Sequence, residues 1–306
     1  MKELVVLEND TVRVVISPTV GASIYKMQYN LAGHWIDIMR ETPPEALEQR
    51  LAGLFSSFTM MPYSNRVQAG LLQFGGKQYQ LEINNEDGHT IHGDVRTRAW
   101  NVEEQRTDTL RLSFDSRDFT DVNWPFSFAG KMEFTISDGK LTTHMELINT
   151  GITPMPAGMG IHPYFMRKLS TQEERVVVCI PTTGVYPGDT PIPTGGWEPV
   201  DTAHDFSEER ELTPAFLDTC FRVAHKQASI KWMESNVTLI MDWDPIFEHV
   251  IIFCPQDKPG YFAVEPVTNC NNGFNLANQE IEDTGTVVLQ PGQSLAGDIV
   301  MTLFVP

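Results

Sequence analysis

Two stretches about a hundred residues apart in a chain of 306 carry side chains suited to moving protons. The first is Gly158-Met159-Gly160-Ile161-His162-Pro163-Tyr164-Phe165. Its small residues let a backbone pass close to a neighbour, and Pro163 restricts the backbone of His162, a setting that holds an imidazole in place. The second is Val264-Glu265-Pro266-Val267-Thr268-Asn269, where Glu265 follows the apolar run Tyr261-Phe262-Ala263-Val264. Partial burial there would hold a carboxylate against a substrate with little competition from water. A histidine before proline is also a common structural residue, so the pair acquires a role only if other residues point to the same place. His89 and His92 stand three apart, but on a strand such positions face opposite sides, and the spacing predicts no metal site.

Composition narrows what these residues act on. Forty acidic against 22 basic residues give a net charge of −18, which disfavours nucleic acid and anionic membrane surfaces. Only four apolar residues, Leu4 to Leu7, stand between the first charges, and nowhere do eighteen run together, so the expected location is the cytoplasm. Cys179, Cys220, Cys254 and Cys270 are widely spaced and predict reduced thiols. Cys179 and Cys254 lie in apolar runs that read as core, whereas Cys270 lies near the proposed site, where its reactivity is of interest. No Gly-x-Ser-x-Gly elbow and no Gly-rich phosphate loop occur, so neither serine hydrolysis nor nucleotide chemistry has support.

The elements that must position these groups read as strands nearly throughout. Glu3–Leu7 and Thr11–Ile16 flank an Asn-Asp turn, and alternating runs flank Gly75-Gly76 and Asp138-Gly139. Further strands are expected at Ala228–Met233, Asn236–Asp242, His249–Phe253, Tyr261–Val264, Thr286–Leu289 and Asp298–Val305. Pro44–Leu51 is one of the few places for a short helix, and Met166–Cys220, rich in Pro, Gly and Thr, reads as a long loop. The prediction is an all-β chain, a large antiparallel β-sandwich with very little helix, folded as a single domain over 1–306.

Taken in order, the motifs resemble the aldose 1-epimerases, or galactose mutarotases. The resemblance rests on Asn65-Arg66 followed by Gly70, His92-Gly93 with Trp100 behind, Asn149-Thr150, Gly160-Ile161-His162-Pro163-Tyr164-Phe165, Leu217-Asp218 with Phe221, Glu265-Pro266 and Phe274-Asn275, from about Asn9 to Phe304. It implies a sandwich of the galactose-mutarotase type with an open sugar cleft on one sheet, acting on a free aldose without metal or cofactor. It further implies Glu265 as base at the C1 hydroxyl, His162 as acid at the ring oxygen, and His92, Arg66 and Asp218 as ligands of sugar hydroxyls. Arg66 also reads as a support for the charge of Glu265, and Asn65 as a binding residue or one that shapes its loop. For this chemistry the imidazole must be protonated and the carboxylate ionised, which neighbouring negative charge would favour.

The chain departs from the family pattern at Thr219, where a second acidic residue is common, and at Asn269-Cys270-Asn271-Asn272-Gly273, which replaces a Pro-Asp-containing stretch. The second departure bears on substrate preference. Trp100, Trp124, Tyr164 and Phe165 are sugar-stacking or core aromatics, more commonly core. Two other functions share the motifs: an epimerase for an aldose with an anionic C6 group, drawing on Arg66, Arg96, Arg98, Arg167 or Lys168, and a sugar-binding module without catalysis. A cupin-like metal enzyme would need His-x-His, which is absent. The expected partner is a small-molecule sugar, and the expected state a monomer or homodimer.

Overall fold

Alternation of buried and exposed residues runs through the long strands, as in Phe128–Ser137 and Lys140–Asn149, whose even spacing turns one side chain in two inward. These two pair over their full length around the Asp138-Gly139 turn, from Phe128 opposite Asn149 to Ser137 opposite Lys140. The computed structural model describes residues 4–171, 173–188, 191–258 and 260–305. Among them the strands assemble into two large antiparallel sheets of eleven and nine strands, with three small two-stranded ribbons. A core cluster draws on both sheets, with Val14, Phe128, Met145, Trp232, Phe262 and Met301 all buried in it. The architecture is the antiparallel sandwich of the galactose-mutarotase type that the motifs implied.

The centre of the eleven-stranded sheet matters most for function. It contains β1 (Ser57–Met60), β2 (Gly160–Met166), β3 (Leu217–Val223), β4 (His249–Cys254) and β5 (Tyr261–Val267). Their spatial order is β1-β2-β5-β4-β3. Two short helices occur, α1 (Pro44–Glu48), inside the range expected for a helix, and α2 (Gly273–Asn278), which the sequence pattern did not signal. No helix among the described residues is long and apolar enough to cross a membrane.

The segment Met166–Cys220, expected as a loop, contains four short strands among its described residues: Val176–Cys179, Thr182–Val185, Glu198–Pro199 and Arg210–Glu211. They lie at or near sheet edges, where two to four residues between prolines leave too little alternation to read. Residues 172, 189 and 190 of that loop, and Glu3 of the first expected strand, lie outside the described set. Cys179 is half-buried rather than core, its thiol turned to the Ser207 carbonyl at 3.2 Å, because its strand is covered on one side only by Arg210–Glu211. Cys254 is buried as expected.

Candidate active site

Strand periodicity sorts the residues of β1–β5 onto two faces. Ile161, Phe165, Phe221, Val250, Ile252, Phe262 and Val264 point into the core between the sheets. Their neighbours at odd spacing, Phe58, Met60, Tyr164, Cys220, Ile251, Ala263 and Val267, form a second buried cluster on the outer face of the sheet. His162, Glu265 and Asp218 share the parity of this second set and so lie on that face.

Register then brings the acid and the base together. β2 pairs with β5 through Gly160 opposite Val267 and Tyr164 opposite Ala263. The residues midway between these pairs are His162 and Glu265, which therefore come face to face, with His162 Nε2 3.2 Å from Glu265 Oε1. Two glycines permit the approach of the two segments. A Cβ on Gly160 would stand 2.8 Å from the Pro266 carbonyl oxygen, and one on Gly158 1.9 Å from Asn269 Oδ1. Asn269 cannot yield easily: its Oδ1 accepts from Ser64 N at 3.2 Å and its Nδ2 donates to the Ser64 and Cys270 carbonyls. Gly158→Ala is therefore expected to destabilise the fold by about 1–3 kcal/mol through overpacking. A urea titration should show the midpoint falling with an unchanged slope.

The remaining candidates converge on the same place. Arg66 (strand Arg66–Val67) pairs with Thr90–Ile91, which delivers His92 beside it. The ring of His92 meets that of His162 edge-on, with centroids 5.3 Å apart. His92 has φ +64° and Gly93 φ +67°, so the chain turns sharply around the Met61 carbonyl, which a Cβ on residue 93 would strike at 2.0 Å. A left-handed non-glycine residue stores about 1–3 kcal/mol, held here by the surrounding contacts, including the His92 N–H bond to Asn65 O at 2.8 Å. Arg66 donates to Asp87 at 2.7 Å and to Asp218 at 3.3 Å. Asn65 is buried with its Oδ1 accepting from Arg66 Nη1 at 3.1 Å, so it orients the guanidinium. Asn272, in the stretch that departs from the family pattern, and the family-like Asn275 hold scaffold: Asn272 N–H donates to Arg66 O at 2.7 Å, and Asn275 bridges α2 to Leu71 and Gln73.

Electrostatics differ from the expectation in one respect. Burial, the largest influence, pushes the His162 imidazole well below its ordinary range, and the positive charges of Arg40, Arg96 and Arg66 push the same way. Apart from Glu265 itself, the negative charge that dominates the chain does not act on this histidine, so its surroundings favour the neutral imidazole over the imidazolium. Burial followed by the Asp218 carboxylate raises Glu265 well above the usual carboxylate range, against the pull of Arg66. The direction for the pair is a single proton resting on Glu265. His92 is also held neutral, by burial and then by His162. Asp218 is raised by burial, although Arg66 lowers it.

Several neighbours were not singled out as site residues from sequence. The Tyr164 ring stacks on His162 at 4.3 Å between centroids, and its hydroxyl lies 3.3 Å from Nε2. Arg40 lies over the Tyr164 ring at 3.4 Å. Asn271, in the stretch that departs from the family pattern, has a buried Oδ1 without a partner and lines a cavity of about 230 Å³ with Asp218, Tyr186 and Cys220. Trp100 and Phe165 are core residues, and Trp124 packs on Tyr63 and Phe274. Cys270 is fully buried and its thiol is pushed up to about 12, mainly by burial, so it is no reactive thiolate.

An imidazole and a carboxyl in contact, ringed by polar groups, stand on the outer face of a large β-sandwich of the galactose-mutarotase type. The sequence profile of the aldose 1-epimerase family matches residues 3–302, and the chain belongs to that family. It is 25% identical over 280 residues to the uncharacterised protein YphB of Escherichia coli K12, covering 88% of this chain and 90% of that one. A galactose mutarotase-like protein of Clostridium acetobutylicum superposes with a TM-score of 0.86 at 18% identity, covering 99% and 95% of the two chains. The galactose 1-epimerase of Lactobacillus acidophilus NCFM superposes with a TM-score of 0.77 at 17% identity, covering 98% and 94%.

Proposed function

We propose that the protein is an aldose 1-epimerase that interconverts the α and β anomers of a free aldose, with Glu265 and His162 exchanging protons with O1 and the ring oxygen. The observation that carries this reading is a cluster of buried polar atoms with no hydrogen-bond partner among the described residues. Glu265 Oε2, His162 Nδ1 and His92 Nδ1 all lack hydrogen bonds, around the 3.2 Å His162–Glu265 contact. Buried polar groups are nearly always paired, so three orphans at one place mark where a polyhydroxy ligand completes the network.

The pair holds one mobile proton, and its two tautomers match the two stages of the reaction. In the tautomer with imidazolium and carboxylate, Glu265 takes the proton from the C1 hydroxyl and His162 gives one to the ring oxygen. The C1–ring-oxygen bond breaks, its electrons staying on that oxygen, while the O1–H electrons form the carbonyl. The pair is then neutral imidazole and carboxylic acid, the state burial favours, which offsets part of the cost of opening the ring. Rotation about C1–C2 and reversal of both transfers closes the ring on the other face. One acid and one base suffice. His92, Arg66, Asp218 and Asn271 are the proposed hydroxyl ligands, Asn65 orienting Arg66.

A second reading, an aldose carrying an anionic group at C6, is favoured by Arg96. Among the described residues this half-buried guanidinium makes no hydrogen bond or ion pair, and burial lowers its pKa. By contrast, Arg98 is held by Asp94 and Asp121, and Arg167 by the Leu212 and Thr213 carbonyls. Gly21 fixes the Arg96 backbone from behind, since a Cβ there would lie 2.2 Å from its carbonyl oxygen. Arg96 and Arg66 line a cleft of about 890 Å³ with Arg50, Lys258, Glu86 and Asp87, four positive against two negative groups in a chain of net charge −18.

Polarimetry on freshly dissolved α-glucose and α-galactose, and on their 6-phosphates, tests both readings with wild type and Arg96→Met. Acceleration of the neutral sugars, untouched by the substitution, supports the first. Acceleration confined to the phosphates, and lost by tenfold or more in Arg96→Met, supports the second. No acceleration of any of them rejects epimerisation of these hexoses.

A further inference from the structure

We propose that Tyr164 and Arg40 are positioning residues for His162: Tyr164 sets the plane of the imidazole, and Arg40, laid on Tyr164, supplies a fixed positive charge that decides when the imidazole carries its proton. The inference rests on the proposed proton-transfer role of His162 and extends it to two residues that touch no substrate.

The geometry begins with strand parity. His162 and Tyr164 are two residues apart on β2 and face the same side, which allows their rings to stack at 4.3 Å with an interplanar angle of 26°. Pro163 between them lacks an N–H, and the β2–β5 ladder lacks paired residues between Gly160 and Tyr164. The His162 backbone is paired on the β1 side, opposite Phe58, and open only toward β5, so the plane of its imidazole is left to side-chain contacts. Phe58 supplies one at 4.7 Å and Tyr164 the other, closer one.

Tyr164 is itself fixed by Arg40. The Arg40 backbone N–H donates to Tyr164 O at 2.9 Å, and the guanidinium lies 3.4 Å over the ring and 4.8 Å from that of Tyr261. The guanidinium is anchored by the carbonyls of Phe55 and Gly53 rather than by a carboxylate. Carbonyl anchors hold the group still without neutralising it, so its charge acts at full strength on what lies nearby. A cation over an aromatic face is favourable by roughly 0.5–2 kcal/mol, which also stiffens the stack. Around His162 and Glu265 stand Arg96 and Arg66 from neighbouring turns, His92, Tyr164 and the apolar Phe58 and Phe253, with the Asp218 carboxylate paired to Arg66 and acting on Glu265. Of the positive charges that act on the imidazole, that of Arg40 has the largest influence.

The sign of the effect follows. The active pair holds one proton; a second proton or none inactivates it, so the rate against pH is bell-shaped. Removing the Arg40 charge stabilises every protonated form, and both limbs move to higher pH. Arg40→Met and Arg40→Gln, the latter keeping a donor for Phe55 O, are expected to shift both limbs upward by roughly one pH unit, the scale of a charge several ångströms away in a partly shielded site. Arg40→Lys should restore the position of the bell even if its height falls. Tyr164→Phe should retain the stack and stay within about threefold of wild type, whereas Tyr164→Leu should lower kcat more than KM changes.

An NMR titration of the His162 Cε1–H, assigned by its loss in His162→Asn, reads the same shift without using activity. An upward shift in an otherwise inactive protein would leave this inference standing and remove the epimerase reading. A bell or titration that stays in place in the uncharged variants, with rates reduced at every pH, would make Arg40 merely structural and overturn the inference. Failure of both uncharged variants to fold would do the same.

Discussion

Glu265→Gln is expected to lower kcat for mutarotation by roughly 10²–10⁴, the range contributed by a positioned proton-transfer group, while sugar affinity stays within a few-fold of wild type. Gln has the shape of the protonated carboxyl but cannot take the O1 proton. Because burial already favours the protonated acid, the substitution replaces one neutral group by another. The thermal midpoint should therefore move little, which separates this variant from an ordinary lesion in a buried network. Polarimetry gives the rate and isothermal titration the affinity. A rate within threefold of wild type would remove Glu265 from the chemistry and leave a sugar-binding role for the cleft.

His162→Asn is expected to cost a comparable factor, roughly 10²–10⁴, and the double variant little more than either single one. This non-additivity follows from the 3.2 Å contact: the two groups share one proton, so removing either disables the exchange the other performs. In His162→Asn the remaining carboxyl loses its partner, and any residual rate should follow a single titration in place of a bell. Additive losses, the double variant falling by the product of the two factors, would mean that the groups act on separate steps. Initial-rate polarimetry across pH on the three variants distinguishes the two outcomes.

Much of this was legible from residue types and order. Alternation over ten residues around Asp138-Gly139 fixed a hairpin, and the same arithmetic places His162, Tyr164, Asp218 and Glu265 on one face of a sheet. The small residues at Gly158 and Gly160 signalled a close approach before the neighbour, Asn269 and Pro266, was visible. What could not be read were effects that depend on distant partners. Arg40 is more than a hundred residues from His162 in the chain and carries no motif; the pairing of residues 38–40 with 164–166, through Arg40 N–H to Tyr164 O and Met166 N–H to Ile38 O, brings it near. The sign of the charge around His162 was misread for the same reason: a net charge describes the whole surface, whereas three guanidinia converge on one buried ring. The short edge strands between Val176 and Glu211 escaped because two to four residues cannot display a period.

Facing positions on adjacent strands have a consequence for how such a protein can diversify. The gap between His162 and Glu265 is set by the paired residues on either side of it, Gly160 opposite Val267 and Tyr164 opposite Ala263, which hold the two strands near the usual spacing of about 4.8 Å. Sequence drift in the loops cannot lengthen or shorten it. The rim formed by Arg50, Glu86, Arg96 and Lys258 on one side, and by Pro191 and Asn271 on the other, lies outside that constraint. On the proposed epimerase reading, a reshaped rim would admit a different sugar while the acid and base keep their spacing, so a library confined to those loops is the place to alter selectivity without rebuilding the chemistry.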